Sequence, residues 1–356
     1  FLIFKRDQVS QVIILEDGED DATHITAILP PDEEVLSAII NGWTTYNQDN
    51  SELLSNAVNA IAFDGQGKAW IGSETTGGGT TFFSDGSSYE EPVVDGGISV
   101  FDGSSWKRYS SSDSELLSND VRTLNVDASD QVWINTNEGL QVFDGENWTI
   151  YSEEDYDLGF INEINIDKEG KVWLSGSNEL SVHDGQEWDS LKHLHPIIAF
   201  DKDLEGRLLI TTGESVYARE GKDWIELFTS ENEPNNPNLT NIVDLQFDSI
   251  GRLWIVTENE GLKVFNGKTW ESYFPEDNGL DIGYIEDMEI DHLDRIWLVS
   301  FFGGVYMFDP AEGWYDYTPD PIGISVEYPQ TMEIDQDGRI WIGSRHGIAV
   351  FTPQEP

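Results

Sequence analysis

The chain has 356 residues, 38% hydrophobic and 12% aromatic, enough to bury a large core, and its 68 acidic against 19 basic side chains give a net charge of −49. That balance excludes a phosphate-backbone binder and makes nucleic acid and anionic membranes poor partners, since both require basic side chains. No window approaches the ~18 consecutive apolar residues of a spanning helix, and the absence of cysteine excludes disulfides, thiolate metal sites and cysteine nucleophiles.

A chain without cysteine suits an extracytoplasmic setting, periplasmic or at the cell surface, where adventitious oxidation is avoided, and an acidic cytosolic protein almost as well; the extracytoplasmic setting is the one expected. Residues 1–40 read as an N-terminal arm or a degenerate copy of the units that follow. The opening FLIF run before Lys5 and Arg6 fits the remainder of a segment removed by processing, and the acidic EDGEDDA reads as a solvated loop. Stretches 24–29 and 35–40, separated by PPDE, have the pattern of a worn hairpin.

From Trp43 onward the chain is periodic. An aspartate stands six residues before a tryptophan at Asp64/Trp70, Asp127/Trp133, Asp167/Trp173, Asp248/Trp254, Asp291/Trp297 and Asp335/Trp341, and Asp203/Leu209 is a copy that has lost its indole. Successive aspartates are 63, 40, 36, 45, 43 and 44 residues apart, the spacing of β-propeller blades. Trp43, Trp106, Trp148, Trp188, Trp224, Trp270 and Trp314 form a second set, most of them after Asn-Gly or Asp-Gly turns such as Asp102-Gly103 and Asn266-Gly267. The two sets account for all 13 tryptophans.

Each unit reads as four short strands. In the second, 121–126 alternates, DASD turns the chain, 131–135 returns it, 140–143 follows Gly139 and 148–151 closes the unit. The fourth residue of the first turn is Gly67, Asp130, Gly170, Gly206, Gly251, Asp294 or Gly338, types that tolerate the left-handed backbone of a type I turn closed by a bulge. The position is read as structural and not as a calcium loop.

The pattern resembles the two-component regulator propeller repeat, whose consensus runs I-x-x-D-x-x-G-x-x-W-I-G-T, then G-L-x-x-F-D-G and W-x-x-Y. The last unit carries its first part as MEIDQDGRIWIGSRHGIAVF, with Met332 at the apolar position held elsewhere by Ile61, Leu124, Ile164, Phe200, Leu245 and Met288. The resemblance spans about residues 41–351. It implies an all-β propeller of four-stranded blades and no single function, since proteins with these repeats include periplasmic sensor halves, surface lipoproteins and modules of unknown role.

Trp43 in GWTTY precedes the first complete inner strand, and the last unit stops at Phe351 without an outer strand. The expectation is therefore a propeller at 41–356 with seven blades, closed by 44–46 beside the C-terminal strands, so that no sheet edge is left open. The alternative is eight blades, with 24–40 as a worn inner hairpin and Trp43 in a blade of its own.

In propellers the turns of the inner strand pairs lie on one face. The second-to-third-strand loops and the blade-to-blade connections lie on the other, around the channel where ligands usually sit. On that second face the first unit carries an insertion at about 74–96, TTGGGTTFFSDGSSYEEPVVDG, with Phe82, Phe83 and Tyr89 as candidate contact aromatics. The following loops bring Asn137, Glu258, the pair Phe301 and Phe302, and finally Arg345 and His346, cations in a chain where cations are scarce. The phenylalanines point to an apolar or carbohydrate-like contact, and the Arg-His pair to a clamp for a carboxylate or sugar acid.

Enzymatic signals are weak. His193 and His195 share a strand face, with no third metal ligand implied, and no nucleophile elbow, H-E-x-x-H or phosphate-cradling loop is present. Streptogramin lyase is also a seven-bladed propeller that uses a histidine and bound magnesium on the channel face. His346 with Glu258 or Glu138 is the comparable set here. Calcium or magnesium binding fits the acid count, but no ligand spacing specifies it, and no cofactor is expected. The expected function is a non-enzymatic binding or docking propeller for a protein partner or small polar ligand. The alternatives are the ligand-sensing half of a signalling receptor and a propeller lyase.

Overall fold

The computed structural model describes Gln11–Ile14, Ile25–Ile28 and residues 42–353, except 83–87, 153–159, 168, 177–178, 193–195, 230–238, 259–260, 276–278, 281 and 320–325. The chain divides into two compact units, Phe1–Ala38 and Ile39–Pro356. In the first, Gln11–Ile14 pairs antiparallel with Ile25–Ile28. Residues 35–40, the second half of the expected worn hairpin, lie outside the described residues.

The second unit is a seven-bladed propeller of four-stranded antiparallel sheets, with the strands of blades 1 to 6 in chain order from the channel outward. The innermost strands of blades 1 to 6 are Val58–Phe63, Val121–Val126, Glu163–Ile166, Ala199–Lys202, Ile242–Phe247 and Ile285–Ile290. Blade 7 takes Pro329–Ile334, Ile340–Ser344 and Gly347–Phe351 from the C-terminal end and Trp43–Tyr46 from the start of the unit. Trp43 pairs with Phe351 and Tyr46 with Ile348. The closure expected from the matched deficit at the two ends is present, and the eight-bladed alternative fails because Trp43 has no blade of its own.

The repeated aspartate explains why seven degenerate units adopt one shape. In every blade its Oδ1 accepts the backbone N–H groups two and four residues on, which shapes the turn between the first two strands. In six blades its Oδ2 accepts the indole N–H of the tryptophan six residues on, at 2.8 to 3.2 Å. The fourth turn residue has a φ between +58° and +82° in all seven blades, which accounts for the restriction to glycine and aspartate. Blade 4, where Leu209 replaces the indole, offers Oδ2 of Asp203 to Arg207 instead. Arg252, Arg295 and Arg339 add the same contact while lying over the neighbouring tryptophans. Much of the scarce positive charge is therefore spent on the turn face.

The core is divided among the blade interfaces. Each of seven apolar clusters joins two adjacent blades, and one of them packs Ile61 and Ile71 of blade 1 against Trp341, Ile348 and Val350 of blade 7. Burial of these wedges holds the ring around an unfilled centre.

Candidate functional site: the channel and its mouth

The innermost strands alternate between the blade interface and the channel, as strand geometry requires. The apolar Ile61, Leu124, Ile164, Phe200, Leu245, Met288 and Met332 enter the core. The residues on either side of them, Ala62 apart, face a channel cavity of about 1080 Å³. In blades 1, 2, 5, 6 and 7 a register shift near the start of this strand marks a β-bulge. Bulges re-aim side chains, and here the extra residue joins the lining at the loop-face end. The cavity reaches Glu74, Thr75 and Asn137 of the second-to-third-strand loops, so its mouth is on that face.

At the mouth the seven blades present Asn59, Arg122, Asn162, Ile198, Val243, Glu286 and Gln330 at equivalent positions, six residue types in seven places. Deeper in, blades 1 and 2 contribute neutral groups such as Ala60, Thr123 and Asn125, whereas blades 3 to 7 contribute Glu163, Asp201, Asp244, Asp287, Glu289 and Glu333. Part of this set is structural. Asp201 accepts the N–H of Phe247 at 2.8 Å and Asp287 that of Met332 at 2.9 Å, each joining its blade to the next. Gln246 and Asn125 donate to the neighbouring backbone carbonyls of Met288 and Ile164. The carboxylates of Glu163 and Glu333 accept no hydrogen bond from a described residue. Burial, reinforced by the Asp287 charge, pushes Glu163 up to about 7, and burial with Asp287 and Glu163 pushes Glu333 up to about 8. Burial also raises Asp287, to about 6, and Asp244 and Glu289 rise for the same reason.

Among the described residues Arg122 is the one lysine or arginine in the cavity lining. Its guanidinium lies 4.9 Å from the ring centre of Phe160, itself half exposed at the mouth, and it makes no ion pair with a described residue. Both residues escaped the reading of the sequence. The available signal was a lone cation one residue after the buried start of an innermost strand, but recognising it as channel-facing requires the bulge.

The residues singled out from sequence are distributed around this face. Asn137 lines the mouth and donates to Asp120 at 3.0 Å. Glu258 accepts from Asn241 at 3.0 Å, and its charge, after burial, raises the carboxyl of Glu286. Phe302 is 68% exposed and Phe301 half-buried, next to Tyr284 and Tyr328, which the sequence reading did not select. Arg345 and His346 are exposed on the blade 7 loop and are not among the cavity-lining residues. The insertion forms a two-stranded ribbon, Thr80–Phe82 with Ser88–Glu90, that exposes Tyr89. Phe83 lies outside the described residues, as do His193 and His195.

These features define a seven-bladed β-propeller whose central channel is acidic and opens on the loop face. Residues 52–75 match the two-component regulator propeller family model, and the chain is a seven-bladed propeller related to that family. A comparison with curated proteins gives no match. Among solved structures, the extracellular domain of a hybrid two-component system of B. thetaiotaomicron is similar at 24% identity and a TM-score of 0.64, over 88% of this chain and 41% of that one. This chain thus spans less than half of that structure. A streptogramin B lyase matches at 14% identity and a TM-score of 0.64, over 87% of this chain and 97% of that one. YCF48 bound to D1 peptide matches at 14% and 0.62, over 88% and 98%. At these identities the likeness is one of fold, shared by sensor, docking and lyase proteins alike.

His346, Glu258 and Glu138 stand on blades 7, 5 and 2, and among the described residues no three His, Asp or Glu side chains are placed to hold one ion.

Proposed function

We propose that this protein is a non-enzymatic, extracytoplasmic binding or docking propeller that receives a protein segment or small polar ligand at the channel mouth. The observation that carries this reading is the contrast between its two faces. The turn face repeats one aspartate clasp in every blade, whereas the mouth presents six residue types in seven equivalent places, with a ribbon insertion and exposed aromatics beside it. Binding to an asymmetric ligand requires such variation, and ring stability does not. YCF48, bound to a peptide, and the extracellular domain from B. thetaiotaomicron support peptide docking and an extracytoplasmic setting on the same fold. The second comparison also favours a variant of the reading, in which the propeller is the ligand-sensing part of a receptor.

The test begins with cross-linking and mass spectrometry of whatever co-purifies with the chain. Binding of that partner is then measured for Arg345→Ala, Phe302→Ala and a version with the ribbon 77–93 shortened to a tight turn. Each true anchor should cost roughly 1–3 kcal/mol, with the fold intact because Arg345 and Phe302 are exposed. Binding that survives all three changes and is lost on removal of residues 1–31 would assign contact to the arm and overturn the reading.

A further inference from the structure

Four aromatic residues cluster on the loop face where blade 6 meets blade 7. Tyr284 and Tyr328 each stand two residues before a mouth residue, Glu286 and Gln330, and are 47% and 42% exposed. Backbone hydrogen bonds tie the loops together, from Phe301 N–H to Tyr284 C=O at 2.8 Å and from Tyr328 N–H to Phe301 C=O at 3.0 Å. Phe302 and Tyr328 are both nearly perpendicular to Phe301, at 88° and 86°, with ring centres 5.2 and 5.0 Å away. These two contacts join the three rings into one aromatic corner of the surface, with Phe302 and Tyr328 exposed. Tyr328 holds its place with φ at +56°, a left-handed conformation that a non-glycine aromatic rarely adopts.

Elsewhere cations lie over a share of the rings. Among the described residues eight lysines and arginines lie over aromatic faces, including Arg252, Arg295 and Arg339 over Trp254, Trp297 and Trp341. Among the described residues none lies over Tyr284, Phe301, Phe302 or Tyr328. The acids Glu286 and Glu327, both exposed, are within two residues of the tyrosines, in a chain of net charge −49. Exposed ring faces beside carboxylates complement a cation, which gains from the ring quadrupole and the negative field together.

We propose that the corner of Phe301, Phe302 and Tyr328 receives an arginine or lysine side chain from a basic segment of a partner protein. The proposal rests on the loop face being the binding face and adds the chemistry of the partner. An acidic protein attracts any basic peptide, so the test must isolate the rings. The probe is a fluorescent peptide of four Arg-Gly repeats, followed by anisotropy at 0.15 M NaCl, with the citrulline peptide as the uncharged control. The variants are Phe302→Leu, which keeps apolar bulk without a π face, and Tyr328→Gly, which removes the ring and relieves the backbone. Both leave the net charge unchanged, and melting curves verify that they fold.

The expected result is at least fivefold weaker binding for each variant and no binding of the citrulline peptide. Absence of binding by the native protein, or binding within twofold of native for both variants, would overturn the proposal. The reading of the face stands separately: if partner binding still depends on Arg345 or the ribbon, only the cationic corner falls. If protection from hydrogen exchange maps to the turn face, both fall.

Discussion

Replacing Trp43 by alanine tests the ring closure most directly. The side chain is 2% exposed, packs its ring 5.0 Å from that of Phe351 within the apolar cluster that joins blades 6 and 7, and donates its indole N–H to Tyr317 C=O at 3.2 Å. Emptying a buried tryptophan site costs about 3–5 kcal/mol. With an unfolding entropy near 2.1 cal/mol/K per residue over roughly 300 residues, each kcal/mol moves Tm by about 1.5 °C. The expected drop is thus about 5–8 °C for Trp43→Ala. For Trp43→Phe, which forfeits chiefly the hydrogen bond and part of the packing, it is about 2–3 °C. Phe302→Ala, on the exposed rim, should leave Tm within about 1 °C. Circular dichroism melts with urea titrations alongside measure the series. A Trp43→Ala shift below about 2 °C would show that Trp43–Tyr46 decorates a ring already closed without it. Deletion of 41–46 should be worse than any point change, because it leaves Gly347–Phe351 as an open edge.

The channel carboxyls set the pH dependence. Glu163, Asp287 and Glu333 ionise near pH 4 in the unfolded chain but at about 7, 6 and 8 in the fold, so between pH 4 and 8 the folded state holds more protons and stability falls as pH rises. Asp167, held below its usual range by Lys202 and Trp173 against its burial, acts oppositely and loses its contribution as pH falls below about 4. Tm should therefore be higher at pH 5 than at pH 8, and Glu333→Gln should narrow the difference; a Tm that climbs from 5 to 8 would contradict this. Salt should also stabilise the protein, since −49 on one chain is strongly self-repelling and ~0.5 M salt shortens the Debye length well below 10 Å. A flat or falling Tm between low and ~0.5 M salt would mean that the repulsion is already neutralised.

The fold was legible because its determinants are local and repeated. An aspartate that organises its own turn and grips an indole six residues on marks the sequence wherever it occurs, and the loss of the indole at Leu209 did not hide the copy. Closure was legible from a deficit, an outer strand missing at one end and supplied at the other. The functional face was legible only as a location. Phe302 was found because it broke a loop pattern, whereas Tyr328 and Tyr284 sit in the blade-to-blade connections, where no pattern exists to be broken. Their grouping depends on two loops that are distant in sequence meeting through backbone hydrogen bonds.

The channel acids illustrate a deeper limit. Asp201 and Glu333 occupy the same position of the innermost strand, and so do Asp287 and Glu163 at another, yet their environments differ with side-chain length. The aspartates are short enough to stay beside the backbone and accept an N–H from the next blade, which uses their charge to join the ring. The glutamates, one methylene longer, accept no hydrogen bond from a described residue, so nothing offsets the rise in pKa that burial and the neighbouring carboxylates impose. Composition counts all four as the same acid. Glu163→Asp and Glu333→Asp would extend the aspartate pattern and stabilise the ring if the glutamates serve only structure. If the channel is kept open for a ligand, the exchange should cost binding even where it raises Tm, the trade-off expected when a site is maintained against the preference of the fold.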